Sequence, residues 1–200
     1  MNIRTRGIVV ATRPHGETAV ILRLLSETSG LVAAYLAGGR GRHMRPVIIP
    51  GNLVDTQLHS RNENQLPYAR LELLTSRAPW LGEPLAAGAI DWVCALTASA
   101  LPERHPYPEL FQALDALLDA ICHAPSARGW LQALIRYERL LLRETGYGET
   151  GAIPSEDLAG LLFVFDRLHT PIARYLLADR QSDVMASRAL LRARLERMTG

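Results

Sequence analysis

The apolar period of this chain changes once, at "APWLGEP" (residues 78–84), and that change limits what the chain can fold into. Before it, apolar residues gather in short β-branched or alternating runs separated by turn residues. After it, they recur at helical spacing. Strands first and helices second predict an α+β protein, with a small β-domain over residues 1–78 and an all-helical domain over residues 79–200.

The first part offers five strand candidates: "IRTRGIVVAT", "TAVILRLLS", "LVAAYLAGG", "NLVDTQLHSR" and "YARLELLTSR". The fourth alternates cleanly. Leu53, Asp55, Gln57 and His59 fall on one face, and Val54, Thr56 and Leu58 on the other. "RPHGE" and "ETSG" read as turns. Five short strands joined by short connections favour a small barrel or sandwich, and the count fits an OB-fold as well as an SH3-like barrel. In the second part, residues 84–101 form the first helix. "YPELFQALDALLDAIC" carries Leu110, Leu114, Leu117 and Ile121 on one stripe, with Pro108 suited to a first turn. "SARGWLQALIRYERLLLRETGYG" opens at a Ser126 cap and stops at Gly146. "PSEDLAGLLFVFDRLHT" takes Ser155 as its cap, and Pro171 separates it from "IARYLLADR". "SDVMASRALLRARLERM" is the last helix.

Charge divides at the same place. Residues 1–77 hold ten Arg against five Asp or Glu, a net +5, while residues 78–200 hold twelve Arg against fifteen acids, a net −3. The front half is therefore the place for a polyanion. Every one of the 22 basic residues is Arg. Each cation is thus a planar fork that can pair with phosphate, and chemistry that depends on Lys is excluded. The two cysteines, Cys94 and Cys122, sit in apolar helical patterns and behave as small hydrophobes, which suits a reducing cytoplasm. The opening "MNIRTRGIVV" lacks the apolar run of a signal peptide, and Asp91 marks residues 85–101 as a buried helix rather than a membrane span. These features predict a cytoplasmic protein.

Catalytic and metal signatures are missing. The six histidines, at 15, 43, 59, 105, 123 and 169, are scattered, and there is no CxxC. Cys122 and His123 are adjacent, and neighbours on a helix point apart. No nucleophile elbow, Walker sequence, zincin motif or dinucleotide fingerprint occurs. "GGRGR" has the glycines of a phosphate loop without its Lys or Ser/Thr. The expectation is a protein that is not an enzyme and needs no cofactor.

The basic residues carry the functional reading. Arg4 and Arg6 share a face of the first strand, and Arg23 interrupts an apolar run. Arg40, Arg42, His43 and Arg45 crowd the stretch "GGRGRHMR". Arg61 ends the fourth strand and Arg70 lies in the fifth. Brought to one side of a barrel, these residues would form a DNA-binding groove with Tyr35 or Tyr68 as stacking platforms. On the helix "LIRYERLLLRE", Arg136, Arg139 and Arg143 make a stripe. It reads either as a solvated face with Glu138 and Glu144 beside it or as a dock for an acidic partner.

Several of these stretches resemble the RecO family of bacterial DNA repair and recombination mediators. The resemblance runs through "TRGIVVATRPHGETAVILRLLSETSGLVAAYLAGGRG", "PGNLVDTQL", "PERHPYPELFQALDALLDAI" and "YERLLLRETGYG", across most of residues 4–148. It implies an N-terminal OB-fold, a helical C-terminal domain, and binding to single- and double-stranded DNA with annealing of complementary strands. It also implies partnership with RecR and the single-stranded DNA-binding protein in loading RecA. Many members carry a Cys-rich zinc module after the position of Tyr147. Here "GETGAIPSEDL" stands in its place, and no zinc site is expected. The alternative is an adaptor whose helical domain does the work and whose barrel binds DNA weakly or not at all.

Overall fold

A computed structural model describes residues 2–60, 62, 65–148, 157–178 and 181–198. Five strands form a sheet closed in a ring of hydrogen bonds: β1 (Asn2–His15), β2 (Ala19–Ser26), β3 (Gly30–Leu36), β4 (Leu53–His59) and β5 (Tyr68–Thr75). The order around the ring is β1-β2-β3-β5-β4. All neighbours are antiparallel except β3 and β5, which meet in parallel at Tyr35 and Tyr68. This is an OB-like barrel followed by helices, as the order of apolar periods predicts.

β1 closes the ring because it serves two neighbours. Asn2 to Ile8 pair with β4, and Gly7 to His15 pair with β2. The register shifts between Val9 and Ala11, and such a bulge adds the bend that a long strand needs to curl around a barrel. Alternation then sorts the side chains. Leu22 and Leu24 of β2, Val32 and Ala34 of β3, and Val54 and Leu58 of β4 fill the interior, while Arg23, Tyr35 and Gln57 lie on the other face.

The stretch between β3 and β4 is a compact series of turns. Met44 and Arg45 donate their amides to the Gly41 carbonyl, and Val47 and Ile48 donate theirs to Met44. Val47 and Ile48 thereby join the barrel core, with Met44 packed against it. Buried Asn52 clamps the end of the stretch. Its Nδ2 donates to the carbonyls of Pro46 (2.8 Å) and Val47 (3.0 Å), and its Oδ1 accepts from the Arg77 amide at 2.8 Å.

Two compact units emerge: Met1–Gly82 with Leu101–Gln112, and Glu83–Ala100 with Ala113–Gly200. The segment that returns to the barrel pairs with β3, because the Arg104 amide donates to the Leu31 carbonyl at 2.8 Å and Glu103 bridges Leu31. Gly30 makes that approach workable. Its φ is +69°, and a Cβ there would lie 1.7 Å from the His105 carbonyl oxygen.

The helices are α1 (Pro84–Ala100), α2 (Pro108–His123), α3 (Ala127–Glu144), α4 (Leu158–Arg167), α5 (His169–Pro171, continued by the wider turn Ile172–Leu176) and α6 (Gln181–Glu196). Leu110, Leu114, Leu117 and Ile121 of α2 are buried, as their stripe predicts. The turn that closes α3 falls at Gly146, with φ +89°. There the Tyr147 amide donates to Leu142 and the Gly146 amide to Arg143, a Schellman closure.

Three helical expectations need correction. Asp157 caps α4 by accepting from the Gly160 amide at 2.7 Å, while Ser155 lies outside the described residues. Pro171 sits inside the next helical segment rather than before it. Having no N–H to give the carbonyl four residues back, it forces the break upstream, at Leu168. Glu138 does not face solvent. It is fully buried and bound to Arg188 (Nη2–Oε2 3.0 Å, Nε–Oε1 3.2 Å) and to the Trp92 indole N–H at 2.8 Å. Burial raises its carboxyl above the ordinary range, against the opposing pull of Arg188 and then Trp92.

Candidate nucleic-acid interface

Register lays out the outward face of the barrel in rows. One row runs Arg13, Ile21, Tyr35, Tyr68, His59 and Asn2, each paired with the next through the strand ladders. On one side of it along the strands, Gln57 stands between Arg4 and Arg70; on the other side, Arg23 stands between Ala11 and Ala33. None of these side chains is buried. Tyr35, Tyr68 and His59 therefore share one row, with Arg4 and Arg70 in the next row on one side and Arg23 in the next row on the other.

Two rings of the aromatic row touch, and His15 of β1 adds a third from outside it. His15 meets Tyr35 edge-on with ring centres 5.9 Å apart, and Tyr35 meets Tyr68 at 5.2 Å and 70°. Tyr68 remains 62% exposed. Beside it opens a cleft of about 830 Å³, bounded by Asn2, Gln57, His59 and Arg70 and by the apolar side chains of Leu36, Met44 and Leu71.

The cations differ in what already holds them. Arg4 pairs with Asp55 through Nε at 2.9 Å and Nη2 at 2.5 Å, and this hydrogen bond and charge keep the Asp55 carboxyl below its usual range. Arg6 grips Glu27 through two bonds, at 3.0 and 2.6 Å, and lowers that carboxyl likewise. Arg23 reaches Glu103 at 3.4 Å. Arg40 donates through Nη1 to the Glu17 carbonyl at 3.0 Å, and Arg45 donates through Nε to the Arg40 carbonyl at 2.8 Å. These two hold the 37–52 turns together, a role that glycine-rich composition conceals. Arg42 leans on His43, with Nε to Nε2 at 3.2 Å, and both are exposed. Arg70 is exposed and forms no ion pair among the described residues. Arg61 lies outside the described residues.

Arg4 and Arg70 thus come together on either side of Gln57, Arg23 lies across the aromatic row from them, and Arg40, Arg42, His43 and Arg45 form a separate group in the turns. Arg13 escaped the sequence reading because Pro14 and Gly16 make its surroundings look like a turn. The alternation of Ala11, Arg13 and His15 was the available signal. On α3, Arg136 and Arg143 are exposed, Arg139 is half-buried, and Arg143 also bonds Glu144 at 3.0 Å. Among the described residues no cluster of His, Cys, Asp and Glu has the makings of a metal site, and no helix is long and apolar enough to cross a membrane.

Fold and face together define an OB-like barrel protein with a helical second domain. Residues 1–77 match the family model for the N-terminal domain of recombination protein O, and residues 82–149 match that for its C-terminal domain. The chain is 42% identical over 142 residues to the DNA repair protein RecO of Rhodospirillum centenum, covering 70% of this chain and 55% of that one. It is 39% identical over 149 residues to the RecO of a Ruegeria species, covering 74% and 61%. To the RecO of Rhodospirillum rubrum it is 35% identical over 191 residues, covering 93% and 76%. The chain belongs to the RecO family of DNA repair and recombination proteins. It spans between half and two thirds of the length of the first two relatives.

Proposed function

We propose that this protein is a non-catalytic mediator that binds single- and double-stranded DNA on the outward face of its barrel and anneals complementary strands. The observation that carries the reading is the juxtaposition of a cationic row with an aromatic row on one exposed face. Cations bound to phosphates of two strands reduce the repulsion between them, which is what annealing requires. Arg42 and Arg70 contact phosphate directly, and so does Arg13. Arg4, Arg6 and Arg23 exchange a carboxylate for a phosphate, at little cost because exposed ion pairs contribute only about 0–1 kcal/mol. Arg40 and Arg45 keep the turns in shape around Arg42 and His43. Arg61 belongs to the same set by its place after β4. By family analogy, the partners are RecR and the single-stranded DNA-binding protein, with RecA loading as the outcome.

The test is salt dependence. Converting Arg13, Arg42 and Arg70 to Ala should remove three phosphate contacts and flatten the slope of log K against log salt by about 2–3 on single strands or duplex. An unchanged slope would remove the face from consideration. The exposed Arg136 and Arg143 favour a second contact, between α3 and an acidic peptide. A pull-down with the acidic tail of the single-stranded DNA-binding protein tests it. Capture that survives Arg136→Ala/Arg139→Ala/Arg143→Ala would exclude the stripe.

A further inference from the structure

We propose that the cleft beside Tyr68 seats a single unpaired nucleobase, so that the barrel engages single strands by stacking as well as by charge. This rests on the nucleic-acid reading of the same face and adds a ligand class to it.

The ring is presented for stacking. Tyr68 is 62% exposed, which is unusual for an aromatic side chain in a strand with a well-packed neighbour. Its contact with Tyr35 is edge-on, and an edge contact occupies at most one face of the ring. Tyr35 is itself braced by His15, so the platform is fixed before any ligand arrives.

The cleft has the chemistry of a base rather than of a phosphate. Leu36, Met44 and Leu71 add apolar side chains to the lining, which a phosphate would avoid and a planar ring would seek. Asn2 and Gln57 stand at the wall, and an amide offers both a donor and an acceptor. The edges of nucleobases carry the same two functions side by side. A duplex hides its base faces in the stack, so only an unpaired base can enter. Arg70 lines the same cleft, and across Gln57 in register lies Arg4. These two cations are placed for the phosphates that flank a base bound in the cleft.

The experiment uses the full chain, a fluorescent oligo-dT, a duplex of the same length, and an oligonucleotide carrying one 2-aminopurine. Tyr68→Leu should weaken single-strand binding about five- to hundredfold and leave duplex binding within about twofold. Tyr68→Phe keeps the ring and should keep both affinities. The emission change of 2-aminopurine on binding should persist with Tyr68→Phe and vanish with Tyr68→Leu. Asn2→Ala/Gln57→Ala leaves the ring intact and should lower single-strand affinity alone. Wild-type single-strand affinity in Tyr68→Leu, or an equal loss on both substrates, would overturn the base seat while leaving the charged face standing. Failure of the wild-type chain to bind either substrate would instead sink the nucleic-acid reading itself.

Discussion

Removing the guanidinium of Arg188 should destabilise the helical unit strongly. Arg188 donates to both oxygens of Glu138 and, at 2.6 Å, to the Phe165 carbonyl, and it lies 3.7 Å from the centre of the Phe165 ring. Both partners are buried, with side-chain exposures of 3% and 0%. In Arg188→Met the aliphatic volume is kept, but Glu138 becomes a lone buried carboxylate. Breaking such a pair from one side costs about 3–5 kcal/mol. At about 2–4 °C per kcal/mol for a chain of this size, the melting temperature should fall by about 6–20 °C. The companion variant Glu138→Gln/Arg188→Met removes the charge and keeps an acceptor for the Trp92 indole. It should recover at least half of the loss, because the penalty comes from the unpaired charge rather than from missing contacts. Urea unfolding at neutral pH, followed by far-ultraviolet circular dichroism and by tryptophan emission, measures both. A single variant that loses less than about 1 kcal/mol, or a double variant no better than the single, would refute the reasoning.

Two further outcomes follow from the barrel. Asp55→Asn releases Arg4, so DNA affinity should rise and the salt slope steepen by about one phosphate, read by anisotropy at several salt concentrations. The lowered carboxyls of Asp55 and Glu27 stabilise the fold above the unfolded carboxylate range of about pH 4. That contribution is lost as pH falls through their lower folded values. The melting temperature should therefore drop in acid, and less steeply in Asp55→Asn/Glu27→Gln. Gly30→Ala meets both a left-handed φ and the His105 carbonyl, whereas Gly16, at φ +59°, has open space around it. Thermal melts should show a loss of about 1 kcal/mol for Gly16→Ala and a clearly larger one for Gly30→Ala.

What could be read from sequence was whatever depends on near neighbours. Short apolar or β-branched runs bounded by turn residues located all five strands, clean alternation marked the fourth, and the stripe of α2 named its buried face. What escaped depends on partners far along the chain. Glu138 sits among arginines and looks like a surface residue until Arg188, fifty positions later, meets it inside. The "GGRGRHMR" stretch looks pliable because nothing in it reveals that Arg40 ties back to the Glu17 carbonyl, or that Asn52 grips Pro46 and Val47. The candidate arginines were found by type and position, but the carboxylates that hold Arg4, Arg6 and Arg23 come from other strands and loops. Arg13 and His15 were passed over because β1 runs on through a bulge and a proline, a continuation that only its pairing with β2 explains.

The hydrogen bond from Arg104 to Leu31 bears on how this protein can be taken apart. β3 touches β5 at one residue pair, so the start of β3 would be a bare edge if the chain ended after β5. Residues 103 and 104 pair there instead, arriving only after the whole of α1 has been made. A barrel cut out at Gly82 would lack that closing piece and present its β3 edge to other molecules. Protease fragments or expression pieces that stop there should self-associate, and a nascent chain keeps that edge open until Arg104 has left the ribosome.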